Sequence, residues 1–418
     1  MPTTHAILAP SASKRWMTCA PSARLEAQVP GKETAYTREG TIAHGMSECI
    51  LTIARDAQWK AWQEDFPEKF HLAYDTYSKK TGTKMAPICM ELANYVEEAV
   101  QEQLDPWEMM QIVSDNYCRF VYEDYLEALN EDPEAALLIE QKLTLTEFIP
   151  EGFGSSDAVL IWKDTLQVYD LKYGKGVKVS AEHNTQMMCY ALGALCGPGE
   201  MYDIDNVKMT IIQPRLHWVS TFDMPSSTLW GWAKEELRPA AVLAFQGGGD
   251  FVPGEHCRFC NVAPRCKAFA KKALELNSNR GDTALMTNDE LAATLRSVTS
   301  LKSWISGLEA YVLEKALEGQ TFPGFKVVEG KSNRTIKDQA AAMEVLAKAG
   351  FDEASYCRPK ELKTISDLEK LLRKDGFQEL LGGYVIKPQG KPTLVESNDA
   401  RPAMNSASSA MEDFKDVN

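Results

Sequence analysis

No apolar run in the 418-residue chain approaches the roughly 20 residues that a membrane-crossing helix requires. Met1 to Ala20 lacks a charged start followed by an apolar stretch, so no secretory leader is expected and the predicted location is cytoplasmic. Positive charge is also scarce. The 45 Lys and Arg stand against 59 Asp and Glu, for a net charge of −14, which taken globally argues against a nucleic-acid partner. No internal repeat is visible.

The shortage of positive charge is local. Glu91 to Glu140 holds 14 acidic residues and one basic residue, Arg119, and accounts for nearly all of the imbalance. That segment reads as a solvated helical face. The remainder is close to neutral and carries two basic stretches: Lys172, Lys175 and Lys178, then Arg258, Arg265, Lys267, Lys271 and Lys272, with no acid between His256 and Lys272. Net charge therefore leaves DNA open as a partner. The composition, 44% hydrophobic and 25% charged, is that of an ordinary globular chain long enough for two or three domains. Ten cysteines without a leader are expected as thiols or metal ligands rather than disulfides. Three of them cluster as Cys257-x-x-Cys260-x5-Cys266. Cys49, Cys89, Cys118, Cys189, Cys196 and Cys357 lie mostly in apolar or helical surroundings and read as packing residues.

Apolar spacing predicts a helix over 41–55 and helical structure over 87–131. A strand is expected over 136–145, a turn at Gly152–Ser156, and strands over 157–162 and 166–171 joined at Lys163-Asp164-Thr165. A helix over 180–195, a strand over 207–213 and a helix over 226–245 kinked near Pro239 follow. This alternation is an α/β signature. Thr287 and Glu290 read as a capping box, opening a long helix with Leu291, Leu295, Val298, Leu301, Ile305, Leu308 and Val312 on one face. Short helices are expected at 339–349 and 366–373, a short strand over 324–330, and an aperiodic, disordered tail from about Pro392.

The chemistry concentrates around Asp157, Asp170 and Lys172. A hairpin between the two strands brings Asp157 and Asp170 to one sheet end, and alternation puts Lys172 on the face of Asp170. Two carboxylates and an ammonium make a candidate divalent-metal site, and carboxylates suit Mg²⁺ or Mn²⁺.

Gly154-x-x-Asp157, Asp170-x-Lys172 and Gln186-x-x-x-Tyr190 follow one another in order, preceded by Gly40-Thr41-Ile42-Ala43-His44 with Glu48 one turn later. Over about residues 10–270 the chain resembles the PD-(D/E)XK nuclease superfamily, in particular its RecB-like branch. The resemblance implies a restriction-endonuclease-like core, a central mixed sheet flanked by helices, here with a helical insertion over about 56–135. It implies that His44, Asp157 and Asp170 ligate the metal. Lys172 would orient or deprotonate the attacking water and stabilise charge on the phosphate, and Gln186 and Tyr190 would position Lys172 and the DNA backbone. Glu140 resembles an acid common in that branch, with an ordinary structural role equally open.

The branch includes AddB-type subunits and CRISPR-associated adaptation nucleases with one cysteine before the core and three after it, which together bind a [4Fe–4S] cluster. Cys19 stands where the upstream ligand belongs, so the resemblance implies a structural cluster held by Cys19, Cys257, Cys260 and Cys266. Zinc, with His256 as an alternative fourth ligand, remains the other reading. The likeness extends to phage- and prophage-encoded proteins with a C-terminal appendage, mostly helical and here about 276–391. There Lys331, Arg334 and Lys337 could contact phosphates, but they read first as solvated surface. The expected function is an exonuclease acting on DNA ends or single strands in phage recombination or replication, with a recombination or single-strand-binding partner. The alternative is a non-catalytic DNA-binding or scaffolding module that keeps the fold and cluster.

Overall fold

The computed structural model describes residues 6–29, 34–79, 87–275, 288–330, 334–358, 361–386 and 391–396. The chain divides into two compact units, Met1–Asp289 and Glu290–Asn418. No helix among the described residues is long and apolar enough to cross a membrane.

The first unit is an α/β structure around one mixed five-stranded sheet. Its strands are β1 (Ala136–Thr144), β2 (Phe153–Trp162), β3 (Thr165–Leu171), β4 (Asn206–Gln213) and β5 (Trp218–Pro225), lying side by side in chain order. All neighbours are antiparallel except β3 and β4, which run parallel. A parallel step needs a crossover, and the helix Thr185–Leu195 supplies it, packed against β3 and β4.

Alternation within the strands sorts their side chains between two apolar layers. Val159, Ile161, Leu166, Val168, Met209 and Ile211 join one core with Thr185–Leu195, the N-terminal helices Ser13–Thr18 and Pro21–Glu26, and the segment 226–246. Ala158, Leu160, Tyr169, Leu171 and Ile212 join the other, under the helices Ala35–Asp56, Pro87–Gln101, Pro106–Ile112 and Arg119–Glu131. A sheet buried on both faces needs apolar residues at nearly every position, and β3 is buried from Leu166 to Leu171. Its polar members Gln167 and Asp170 are buried with partners.

Several expectations change. The turn expected at Gly152–Ser156 lies earlier, because Phe153, Gly154, Ser155 and Ser156 pair with Thr144, Leu143, Lys142 and Gln141. Pairing overrides the weak strand preference of Gly and Ser. Gly154 suits this close packing, since a Cβ would stand 3.1 Å from both Pro10 and the Tyr190 ring. The helix expected from Ser180 begins at Thr185, because the Asn184 side chain accepts from the Gln186 and Met187 N–H groups and fixes the N-terminus. The strand β5 was not expected. Its run is half exposed and rich in Ser, Thr and Asp, so its apolar signal is weak. The bend near Pro239 is a π-helical turn over Ala233–Leu237, where a proline lacking its N–H interrupts the helical ladder.

In the second unit, Ala342, Leu346, Tyr356, Leu368, Leu372, Phe377 and Leu381 form a small core. Phe325–Glu329 is a strand, as expected, but Pro392–Glu396 is a strand too, pairing antiparallel with it. The tail from Pro392 therefore opens with an ordered strand; its ladder partner 60-odd residues upstream leaves no local trace. The helix expected at 366–373 spans Ile365–Leu381, broken at Arg373 by a φ of 58°. The long helix runs Asn288–Leu317. Thr287 of the expected capping box, Lys331 and the tail 397–418 lie outside the described residues.

Candidate metal centre

Three acids fall in one row across three strands. Ile139 pairs with Ala158 and Gln141 with Ser156, which sets Glu140 opposite Asp157. Ala158 pairs with Tyr169, which sets Asp157 opposite Asp170. The regular ladder lapses at this row, and the Asp157 carboxylate fills the gap, its Oδ2 accepting from the Leu171 N–H at 2.6 Å. Glu140 sits at a φ of 46°, a conformation that costs a non-glycine residue about 1–3 kcal/mol and clusters at functional sites.

The helix Ala35–Asp56 adds His44, whose Nδ1 lies 3.1 Å from Asp157 Oδ1. The neighbouring Gly45 lets this helix pack closely on the helix Pro87–Gln101, since a Cβ there would stand 2.1 Å from the Tyr95 ring. His44, Glu140 and Asp157 each offer one ligand atom within 4.8 Å of the others. Glu48, one turn further, is not in this tight group; burial, then the charge of Glu91, raise its pKa.

Asp170 binds the cationic side of the site. Lys172 Nζ lies 3.2 Å from its Oδ1 and 2.9 Å from its Oδ2. Gln186 from the crossover helix donates to Asp170 Oδ1 at 3.0 Å and to the Tyr190 hydroxyl at 3.1 Å, while its Oε1 accepts from Lys172 at 3.1 Å. The five residues Asp157, Asp170, Lys172, Gln186 and Tyr190, with His44, thus share one locus. Asp170 Oδ2 is buried without an aligned hydrogen bond.

The electrostatics follow from crowding acids out of water. Burial alone would lower the His44 pKa, but the charge and hydrogen bond of Asp157, helped by Asp170 and Glu140, raise it to about 9. Burial, then the charge of Asp157, push Glu140 up to about 8, with His44 opposing. Asp157 is held low despite burial by His44, the Leu171 N–H and Lys172. Burial raises Asp170 against the pull of Lys172. Burial opposes the charge on Lys172, but Asp170 keeps the ammonium protonated. One imidazole and three carboxylates around this locus suit a hard divalent cation with some tolerance for nitrogen.

The second cluster joins the N-terminal helices to the segment 253–266, late in the first unit. Cys19, Cys257, Cys260 and Cys266 line one cavity together with Arg15, Ser22, Val262 and His256. The pieces are drawn in by polar clamps: Glu26 accepts from Arg15 at 2.5 Å and from the Asn261 N–H at 2.7 Å, and Arg24 donates to the Phe245 carbonyl. The Gly254 N–H donates to Cys257 Sγ at 3.3 Å. Ser22 Oγ and His256 Nε2 are buried there without partners. Burial raises the Cys257 thiol, and lifts Cys260 to about 11, so metal binding here would release protons. Among the described residues, these sulfurs do not gather within 4.8 Å as the His44 group does.

Other candidates resolve differently. Lys178 lies over the Trp218 ring at 4.3 Å, and Arg334 pairs with Glu369 at 2.6 Å. Glu140 joins the ligand group, which its sequence position only suggested, and its unusual backbone has no signature in the residues around it. A family model described as a protein of unknown function, DUF2800, matches residues 5–402. The match covers almost the whole chain, and the protein belongs to that family.

Proposed function

We propose that this protein is a divalent-cation-dependent deoxyribonuclease with a restriction-endonuclease-like core of the PD-(D/E)XK, RecB-like kind. The observation that carries the reading is the convergence of His44, Glu140 and Asp157 within 4.8 Å, beside an Asp170–Lys172–Gln186 network. A row of carboxylates with an imidazole on one side and a lysine on the other fits metal-assisted phosphodiester hydrolysis. His44, Glu140, Asp157 and Asp170 would hold Mg²⁺ or Mn²⁺, which polarises a phosphate oxygen and activates water. Lys172, kept charged by Asp170, orients the attacking water and stabilises the added negative charge on phosphorus. The P–O bond opposite the attack breaks; the attacking water releases one proton to solvent and the departing oxygen takes one up, since Lys172, held as an ammonium, is not the base. Gln186 fixes Lys172 and Asp170 in one orientation, and Tyr190 braces Gln186 from one helical turn away.

Cys19, Cys257, Cys260 and Cys266 would hold a [4Fe–4S] cluster that clasps the ends of the core. A single zinc ion needs its sulfurs close, at bonds of about 2.3 Å, whereas a cubane spreads four thiolates over four irons. Cys19 lines the same cavity as the three clustered cysteines, which offers the four thiolates a cubane takes. Its role is to staple segments some 240 residues apart. The substrate we propose is a DNA end or single strand, met in phage recombination or replication.

The test is end-labelled single- and double-stranded DNA incubated with Mg²⁺ or Mn²⁺. Metal-dependent release of nucleotides by the wild type, lost in Asp170→Asn and in Lys172→Met, is expected. Absence of cleavage under every metal and substrate, or equal cleavage by both variants, removes the assignment; DNA binding without cleavage would point to a scaffolding module.

A further inference from the structure

Tyr117 is among the largest fully buried side chains of the protein, at 0% exposure, and its hydroxyl has no hydrogen-bond partner. An unpaired buried hydroxyl costs about 1–3 kcal/mol, so it persists only where something else satisfies it. Its backbone is unusual as well. Tyr117 lies in a π-helical turn, Val113–Cys118, between the helices Pro106–Ile112 and Arg119–Glu131. Single π-turns inside helices occur frequently at functional sites. This one packs against both the His44 helix and β4, and Cys118 Sγ in the same turn bonds the Ser47 carbonyl at 3.7 Å. Ser47 is one turn from His44 on that helix, so the π-turn is seated against the stretch of helix that carries the imidazole, and no side chain accepts from the phenol.

We propose that Tyr117 is a positioning residue of the metal centre, its hydroxyl hydrogen-bonding a water held on the bound divalent cation. A phenol both donates and accepts, so it can receive from such a water and pass its own proton toward the acid row. A carboxylate would serve worse, because a further negative charge in the row adds repulsion without a donor. The inference rests on the metal-centre reading above but not on the reaction assigned to it.

The test uses the full chain with Mn²⁺ alone as probe. Affinity is measured by titration and by the electron paramagnetic resonance signal of free and bound ion. Tyr117→Phe keeps the ring and removes one oxygen; it is expected to bind Mn²⁺ about 10-fold more weakly, as loss of an outer-sphere partner does, with no loss of metal-free stability. Tyr122→Phe is the control. That hydroxyl bonds the Ala54 and Trp59 carbonyls at 2.9 and 3.0 Å, so the variant is expected to lose stability and keep its Mn²⁺ affinity. Equal affinity in wild type and Tyr117→Phe, or no Mn²⁺ binding by the wild type, overturns the proposal. A wild type that binds Mn²⁺, is weakened by Tyr117→Phe and cuts no DNA leaves the proposal standing and sinks the nuclease reading.

Discussion

Raising the pH of the metal-free protein should weaken its first unit, and the His44–Asp157 pair sets the window. The His44 pKa rises from 6.5 unfolded to about 9 folded. The folded state therefore holds the proton more tightly, and the stabilisation is complete below about pH 6.5 and lost as pH climbs through about 9. At 1.36 kcal/mol per unit the ceiling is about 3.4 kcal/mol. His44 retains 35% side-chain exposure, so solvent screening reduces this to about 1–2 kcal/mol. Glu140 acts in the same direction: its pKa rises from 4.5 to about 8, so its ionisation between those values also costs stability. Urea unfolding followed by tryptophan fluorescence reads this unit, because eight of the nine tryptophans lie in it. The difference in unfolding free energy between wild type and His44→Gln should be about 1–2 kcal/mol near pH 6.5 and shrink toward zero above pH 9. Saturating Mn²⁺ should reverse the trend, adding about 2.7 kcal/mol at 100 times its dissociation constant, since ligation needs a neutral imidazole and an ionised Glu140. Parallel pH profiles for wild type and variant would refute the reasoning.

Other consequences are as concrete. Asp170→Asn keeps the shape that Gln186 recognises but removes the charge, and should lower DNA cleavage by about 10²-fold or more while circular dichroism stays native. Cys19→Ser should cost the purified protein its stoichiometric iron and sulfide, measured by metal and sulfide analysis; wild type containing zinc and no iron would instead support the zinc reading. Gly45→Ala should destabilise the first unit by about 1–3 kcal/mol through overpacking against Tyr95, read by urea unfolding.

The strands bearing Asp157, Asp170 and Lys172 were legible because buried β-structure leaves continuous apolar runs, and a short polar turn between two such runs forces a hairpin. The helix carrying Gln186 and Tyr190 followed from its own periodicity, though its true start waited on the Asn184 cap. Less was legible where pairing, not composition, decides structure. Gly154–Ser156 reads as a turn until β1 lies beside it, and β5 and Pro392–Glu396 have no strong pattern of their own. The residue types of the site, their order and the cysteine spacing belong to the sequence, since local chemistry and period fix them. That Glu140 stands opposite Asp157, that His44 reaches the row from another layer, and that Tyr117 is buried beside it unpaired were decided only by tertiary structure. Those facts depend on strand register and helix packing between residues 17 to 113 positions apart, distances over which no local pattern carries information.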